Sequence, residues 1–219
     1  MPLTLHTSPT HASAAVTAPF EFVGERLWLD FVNSDDATHA RGDSRTDALD
    51  SFERFVSWLS AARVLDEERA TAMNRRAQQQ PTGASAALHE ARRLRNVLRA
   101  LAEHGDAPRE RATQTAIGEI NRILGRSAGT RRVEPRSDGG FVRNFVTAGD
   151  VFAGLMIPII ESAADALVSG ELERVRKCAD PRCARVFYDG SRNGKRRWCD
   201  MKTCGNRAKA ARHRKKISG

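Results

Sequence analysis

Residues 177–207 read KCADPRCARVFYDGSRNGKRRWCDMKTCGNR and hold all four cysteines of the 219-residue chain. Cys178 and Cys183 have four residues between them, as do Cys199 and Cys204, and fifteen residues separate the two pairs. Two close pairs at that separation form the pattern of a four-thiolate structural zinc site, because a short spacer lets one tight turn offer both sulfurs to the same ion. The other readings of four cysteines fit less well. Disulfides belong to exported chains, and a redox pair places two residues between its cysteines. A catalytic zinc keeps a water or a non-thiolate ligand. Here the one nearby candidate is His213, nine residues past Cys204 and on the far face of an expected helix. One structural Zn2+ is therefore expected, bound by Cys178, Cys183, Cys199 and Cys204.

The metal has a folding task. In this segment Val186, Phe187, Tyr188 and Trp198, with Met201, are the large apolar groups, too few for a self-sufficient core. Metal binding and folding are then one event. Residues 189–194, DGSRNG, are dense in turn formers, so Arg185–Tyr188 and Lys195–Trp198 are expected to pair as a hairpin. The order becomes knuckle, hairpin, knuckle, helix, a treble-clef-like zinc finger over residues 171–219.

Charge points to the partner. The chain carries a net +9, yet residues 171–219 alone hold 16 Lys and Arg against 5 Asp and Glu, leaving the first 170 residues near neutrality. Every lysine lies in that final stretch. A near-neutral body with a basic tail is the electrostatic footprint of a nucleic-acid-binding module. Stepping a helix at 100° per residue from Cys204 puts Ala208, Ala211 and Lys215 on the cysteine's face, against the hairpin, and turns Asn206, Lys209, His213 and Lys216 outward. Asn, Lys and His can read base edges, while Arg207, Arg212 and Arg214 are placed for phosphates. Arg192, Lys195, Arg196 and Arg197 of the hairpin extend the surface.

The rest of the chain reads as a mainly helical body, residues 19–170, behind a disordered lead-in at 1–18. Phe20 to Phe31 alternate in part and suggest an extended segment or a short strand entering a helix. Residues 34–47, SDDATHARGDSRTD, read as a loop. Helices are expected from Ala48 with Asp47 as N-cap, over Asp66–Gln80, from Ser85 to His104, from Pro108, and over Asp150–Ser169 with Gly170 as the C′ residue. Residues 129–147 read as a β-hairpin turning at Ser137-Asp138-Gly139-Gly140. The fold class is α+β, a predominantly helical N-terminal domain with a small β-hairpin plus the C-terminal finger. The N-terminus has neither the charged nor the apolar region of a signal peptide, and the longest apolar run, VFAGLMIPII, is too short to span a bilayer. A cytoplasmic, nucleoid-associated protein with no membrane contact is expected.

Residues 178–216 resemble the CGNR zinc-finger family, on the paired cysteines, Phe187, the D-x-S-R turn at 189–192, R-W-C at 197–199 and the C-G-N-R box at 204–207. FVGERLWLDFVNS at 22–34, with its Leu-Asp-x-x-Asn segment, is similar to the ABATE domain that precedes such fingers in bacterial proteins assigned to transcription regulation. The resemblance implies a duplex-DNA-binding finger on a sensory or ligand-binding body. Asp30, Asn33 and Arg95 are its candidate ligand-binding residues, since they and the neighbouring arginines could line an anion pocket. A homodimer is expected, because a lone small module seldom buries enough interface for tight specific binding. A small-molecule effector is expected too. The alternatives are a zinc-dependent RNA-binding protein and, with less support, an enzyme in the body. No G-x-S-x-G, H-E-x-x-H, P-loop or G-x-G-x-x-G is present, and the six histidines are scattered, so no enzyme is expected.

Overall fold

The computed structural model describes residues 20–35, 47–103, 109–126, 128–135, 139–148 and 150–217. The expected lead-in at 1–18, most of the 34–47 loop, His104, Pro108 and the Ser137-Asp138 turn lie outside them. The body contains α1 (Leu27–Val32), α2 (Phe52–Ala61), α3 (Glu67–Gln79), α4 (Pro81–Glu103), α5 (Arg109–Arg126), the strands β1 (Gly129–Pro135) and β2 (Phe141–Thr147), and α6 (Ile157–Val168). The finger follows with β3 (Val175–Lys177), β4 (Val186–Tyr188) and α7 (Asn206–Ile217).

α1 is the centre of the body. Its sequence LWLDFV is apolar on nearly every side, and Trp28, Leu29, Phe31 and Val32 are all buried. A helix of that kind belongs inside a protein rather than on its surface. Of the two readings of residues 20–31, an extended segment or a short strand entering a helix, the helix forms from Leu27, while residues 20–23 lead into it without forming a strand. Phe31 packs edge-on to Trp58 of α2 at 5.3 Å. The apolar stripe of α4, including Ala91, Leu94, Leu98 and Leu101, is buried in the same core. Gly24 lets the chain enter α1 closely, since a Cβ there would lie 2.7 Å from the Asp30 nitrogen.

Three helix starts differ from the sequence expectation, those of α2, α4 and α6, the last beginning at Ile157 rather than Asp150. α2 begins at Phe52, not Ala48, because the Ser51 hydroxyl accepts from the Arg54 amide at 3.1 Å and acts as N-cap. Asp47 instead accepts from the Leu49 amide at 2.9 Å and pairs with Arg95 and Arg92. α4 begins four residues earlier than expected, at Pro81, a residue suited to the first helical position. Gln80 alone separates it from α3, with φ −133° and ψ 63°, outside the helical region that a residue before proline avoids. The two strands of the expected hairpin form, β1 pairing antiparallel with β2 from Gly129↔Thr147 to Pro135↔Phe141. α6 is preceded by a short 3-10 turn, Ala153–Met156, and Gly170 closes it in the left-handed region at φ 72°.

The finger is not a separately tethered unit. Leu172, Val175 and Val186 are buried in the same hydrophobic core as the body. The join is made by backbone-like bonds from α1: the Asn33 amide nitrogen donates to the Val186 carbonyl at 2.8 Å, and its oxygen accepts from the Val186 amide at 2.9 Å. Asn33 thus stands in for a strand residue against β4. On the same strand Tyr188 donates to the Gly24 carbonyl at 2.9 Å. Gly24 is in turn held by Asp30, which accepts from its amide at 2.7 Å. Both polar letters of the Leu-Asp-x-x-Asn segment therefore serve the body–finger joint.

Removing the Asn33 side chain strands a buried donor and a buried acceptor on β4, each costing about 1–3 kcal/mol. Asn33→Ala should lower unfolding stability by roughly 2–4 kcal/mol, read from the urea midpoint at unchanged m. A change under about 0.5 kcal/mol would show that water replaces the joint.

Candidate metal centre and basic surface

Two turns bring the sulfurs together. The first knuckle sits between β3 and β4, where the Cys178 amide donates to the Arg185 carbonyl at 2.8 Å and the Cys183 amide to the Asp180 carbonyl at 2.8 Å. The second is a wide turn, Met201–Gly205, capped by Asp200, whose side chain accepts from the Lys202 amide at 2.7 Å. The hairpin of the finger is therefore not the expected pairing of 185–188 with 195–198. β3 pairs with β4, Val175↔Tyr188 to Lys177↔Val186, and the first knuckle is its loop. The reason lies in Asp189. Its fully buried carboxylate accepts from the amides of Ser191 at 3.0 Å and Arg196 at 2.9 Å, so the 189–196 loop closes through a side chain instead of a ladder. The carbonyl of Arg197 then accepts from the Ala179 amide at 2.8 Å, tying the loop's end to the first knuckle.

Cys178, Cys183, Cys199 and Cys204 are all buried, none forms a disulfide, and their four sulfurs lie within 4.8 Å of one another. The Cys183–Cys199 and Cys199–Cys204 sulfurs are each 3.7 Å apart. A tetrahedral zinc with Zn–S bonds of about 2.3 Å needs sulfurs about 3.7–3.8 Å apart. The donor set and its spacing fit one zinc ion closed on all four sides, which is a structural site. Without a metal the four thiols cannot all ionise. Hydrogen bonding to Cys178 holds Cys183 up at about 11 and Cys199 higher still, while Cys183 and Cys199 together pull Cys178 below the ordinary thiol range. A dication replaces those protons and removes the conflict.

Two of the arginines expected on DNA are turned inward. Arg207, the last letter of the C-G-N-R box, donates through Nε to Asp180 at 2.6 Å and through Nη2 to the Cys204 sulfur at 2.9 Å. Its cation faces a cluster that would carry two net negative charges with zinc bound. Arg196 donates to the carbonyls of Trp198 and Cys199, pairs with Glu25 of the body, and lies 4.6 Å over the Phe187 ring. Sequence reasoning missed Asp180 and Asp189 as organisers of this shell; the turn-forming A-D-P-R and D-x-S-R letters around them are the signal that was there to read. The other expected contact residues, Arg192, Lys195, Arg197, Asn206, Lys209, Arg212, His213, Arg214 and Lys216, are exposed. Lys202 in the second knuckle is a further exposed cation beside them.

The three body candidates do not converge. Asn33 grips β4 and Asp30 holds Gly24; burial raises the Asp30 carboxyl to about 6 despite its backbone donors. Arg95 is buried and donates to Ser34 and Asp47. Its neighbour Arg99 is engaged with Asp35 and the carbonyls of Val32 and Ala184. Clefts of the body lie elsewhere: one of about 280 Å³ walled by Leu65, Met73, Phe145, Val146 and Leu155, with Arg69 at its edge, and a more polar one of about 600 Å³ lined by Arg26, Glu161, Asp165 and Glu171.

A closed four-thiolate site carrying a basic helix and fused to a helical body defines a zinc-finger protein with an N-terminal companion domain. The comparisons agree with the geometry. Residues 174–216 match the CGNR zinc finger, and residues 25–170 match the ABATE family, described as "Putative stress-induced transcription regulator". The chain belongs to the ABATE family and carries a CGNR zinc finger. No curated protein matches it.

If Arg207 steadies the cluster from outside the ligand set, Arg207→Ala should weaken zinc retention by about 10- to 100-fold, as loss of such partners does elsewhere. Competition with a chromophoric chelator measures it. Retention equal to wild type would assign Arg207 to packing alone.

Proposed function

We propose that the protein is a transcription regulator that binds duplex DNA through its zinc finger, with the body receiving a small-molecule effector and holding two copies together. The observation that carries this reading is the excess of positive charge on the finger, whose residues 171–219 hold 16 Lys and Arg against 5 Asp and Glu. Lys195, Arg197, Lys202 and Lys209 are exposed on the finger, whereas the exposed arginines of the body, such as Arg63, Arg75 and Arg132, belong to a stretch near neutrality in which Arg26, Arg95, Arg99 and Arg122 pair with carboxylates. Exposed cations gathered in excess on one module are what a polyanion requires. Duplex DNA is favoured over RNA because single-stranded RNA readers display aromatics for stacking. Here Tyr188 is covered by Arg26 at 3.9 Å and half-buried Trp198 packs on the cysteine core. The cleft beside Arg69 supports an effector of mostly apolar character. Among the described residues no helix is long and apolar enough to cross a membrane.

The test is a salt titration of binding to mixed-sequence duplex DNA. Affinity should fall steeply with salt, and Lys209→Ala should reduce the magnitude of the log–log slope by about one if that lysine meets a phosphate. Salt-independent binding, or equal binding by a chain lacking the 209–216 cations, would contradict the reading.

A further inference from the structure

Beyond its first turn, α7 leaves the finger. Ala208 is half-buried, but every residue from Lys209 to Ile217 whose side chain is described is exposed, including Ala211, which the sequence placed against the hairpin. The helix is anchored at its start, where Cys204 and Gly205 are buried and Arg207 meets Asp180. A helix that projects in this way can be approached from several sides at once.

Its cations use that freedom. Measured around the axis from Lys209, His213 stands about 40° and Asn206 about 60° to one side, Arg214 about 140° to that side, and Arg212 about 60° to the other. The charged set therefore covers an arc of about 200°, with the zinc face at its back. A flat acidic protein surface would meet only part of that arc. An anionic membrane would need an apolar face, and the exposed stretch offers only Ala210, Ala211 and Ile217. What fits is a trough with negative charge on both walls. An α-helix with side chains is about 10–12 Å across, which matches the major groove of B-DNA at about 12 Å and not the minor groove at about 6 Å. The major groove of A-form RNA is too narrow to admit it.

Resting on the duplex reading above, we infer that α7 lies in the major groove of B-form DNA, with Lys209 and His213 toward the base edges, Arg212 and Arg214 on the phosphates of opposite walls, and Asn206 kept at the second knuckle, where its amide donates to the Lys202 carbonyl at 3.1 Å. Ala210, at about 100° on the same arc, keeps the approach close.

The full-length zinc-loaded protein is titrated against one duplex in four forms: unmodified, carrying glucosylated 5-hydroxymethylcytosine in the major groove, saturated with netropsin in the minor groove, and as the all-RNA duplex. The glucosylated and RNA forms should each bind at least about tenfold more weakly, a loss expected when base-edge contacts are blocked, whereas netropsin leaves affinity unchanged. Arg212→Ala and Arg214→Ala should each lower the salt-slope magnitude by about one, and the double variant by about two. Displacement by netropsin with tolerance of the glucosyl groups overturns this inference and leaves duplex binding standing, as does a slope that responds to only one of the two arginines. No salt-dependent binding to the unmodified duplex overturns both readings together.

Discussion

Four sulfurs meeting at one point is the constraint on which the C-terminal quarter of the protein depends. Few large apolar side chains are available there, so the module's shape comes from turns that aim thiols: Asp180 and Asp200 set the two knuckles, and Asp189 closes the loop between them. Sulfur–sulfur distances of 3.7 Å match a bound zinc. The same sulfurs without an ion cannot all be thiolates, since Cys183 and Cys199 are held protonated beside Cys178. The start of α7 follows from the fourth sulfur, because Cys204 lies in the turn that launches the helix.

The second constraint is the joint between finger and body. Asn33 pairs with both backbone groups of Val186, Gly24 receives Tyr188, and Leu172, Val175 and Val186 complete a core that begins at Trp28. Glu21 and Glu25 add ion pairs to Arg185 and Arg196. The finger is consequently held in a fixed pose, and β4 belongs to both parts. A displacement of α1 by anything bound to the body would reach the strand that carries the first knuckle, which gives the proposed sensing role a physical route.

The metal site was fully legible in the sequence because cysteine spacing reports local turns, and local turns need no tertiary context. Helix periodicity in α2, α3 and α4 was legible for the same reason, and so was the hairpin of β1 and β2. What escaped depends on long-range partners. Asp47 looks like a cap until Arg95, 48 residues away, claims it. α1 reads as strand or helix because a helix buried on all sides has no polar stripe to mark its period. Asn33 and Asp30 read as site residues, and their partners Val186 and Gly24 are visible only in three dimensions. Arg196 and Arg207 carry the same letter as the exposed arginines, so charge counting could not tell the inward pair from the outward set.

The central claim is that zinc builds the surface that meets DNA. Native mass spectrometry of the full chain, combined with duplex binding before chelation, after chelation and after zinc is restored, tests it most directly. The account predicts one zinc per chain, loss of duplex binding when the metal is removed and recovery when it returns. Duplex binding that persists unchanged in the metal-free chain would contradict it.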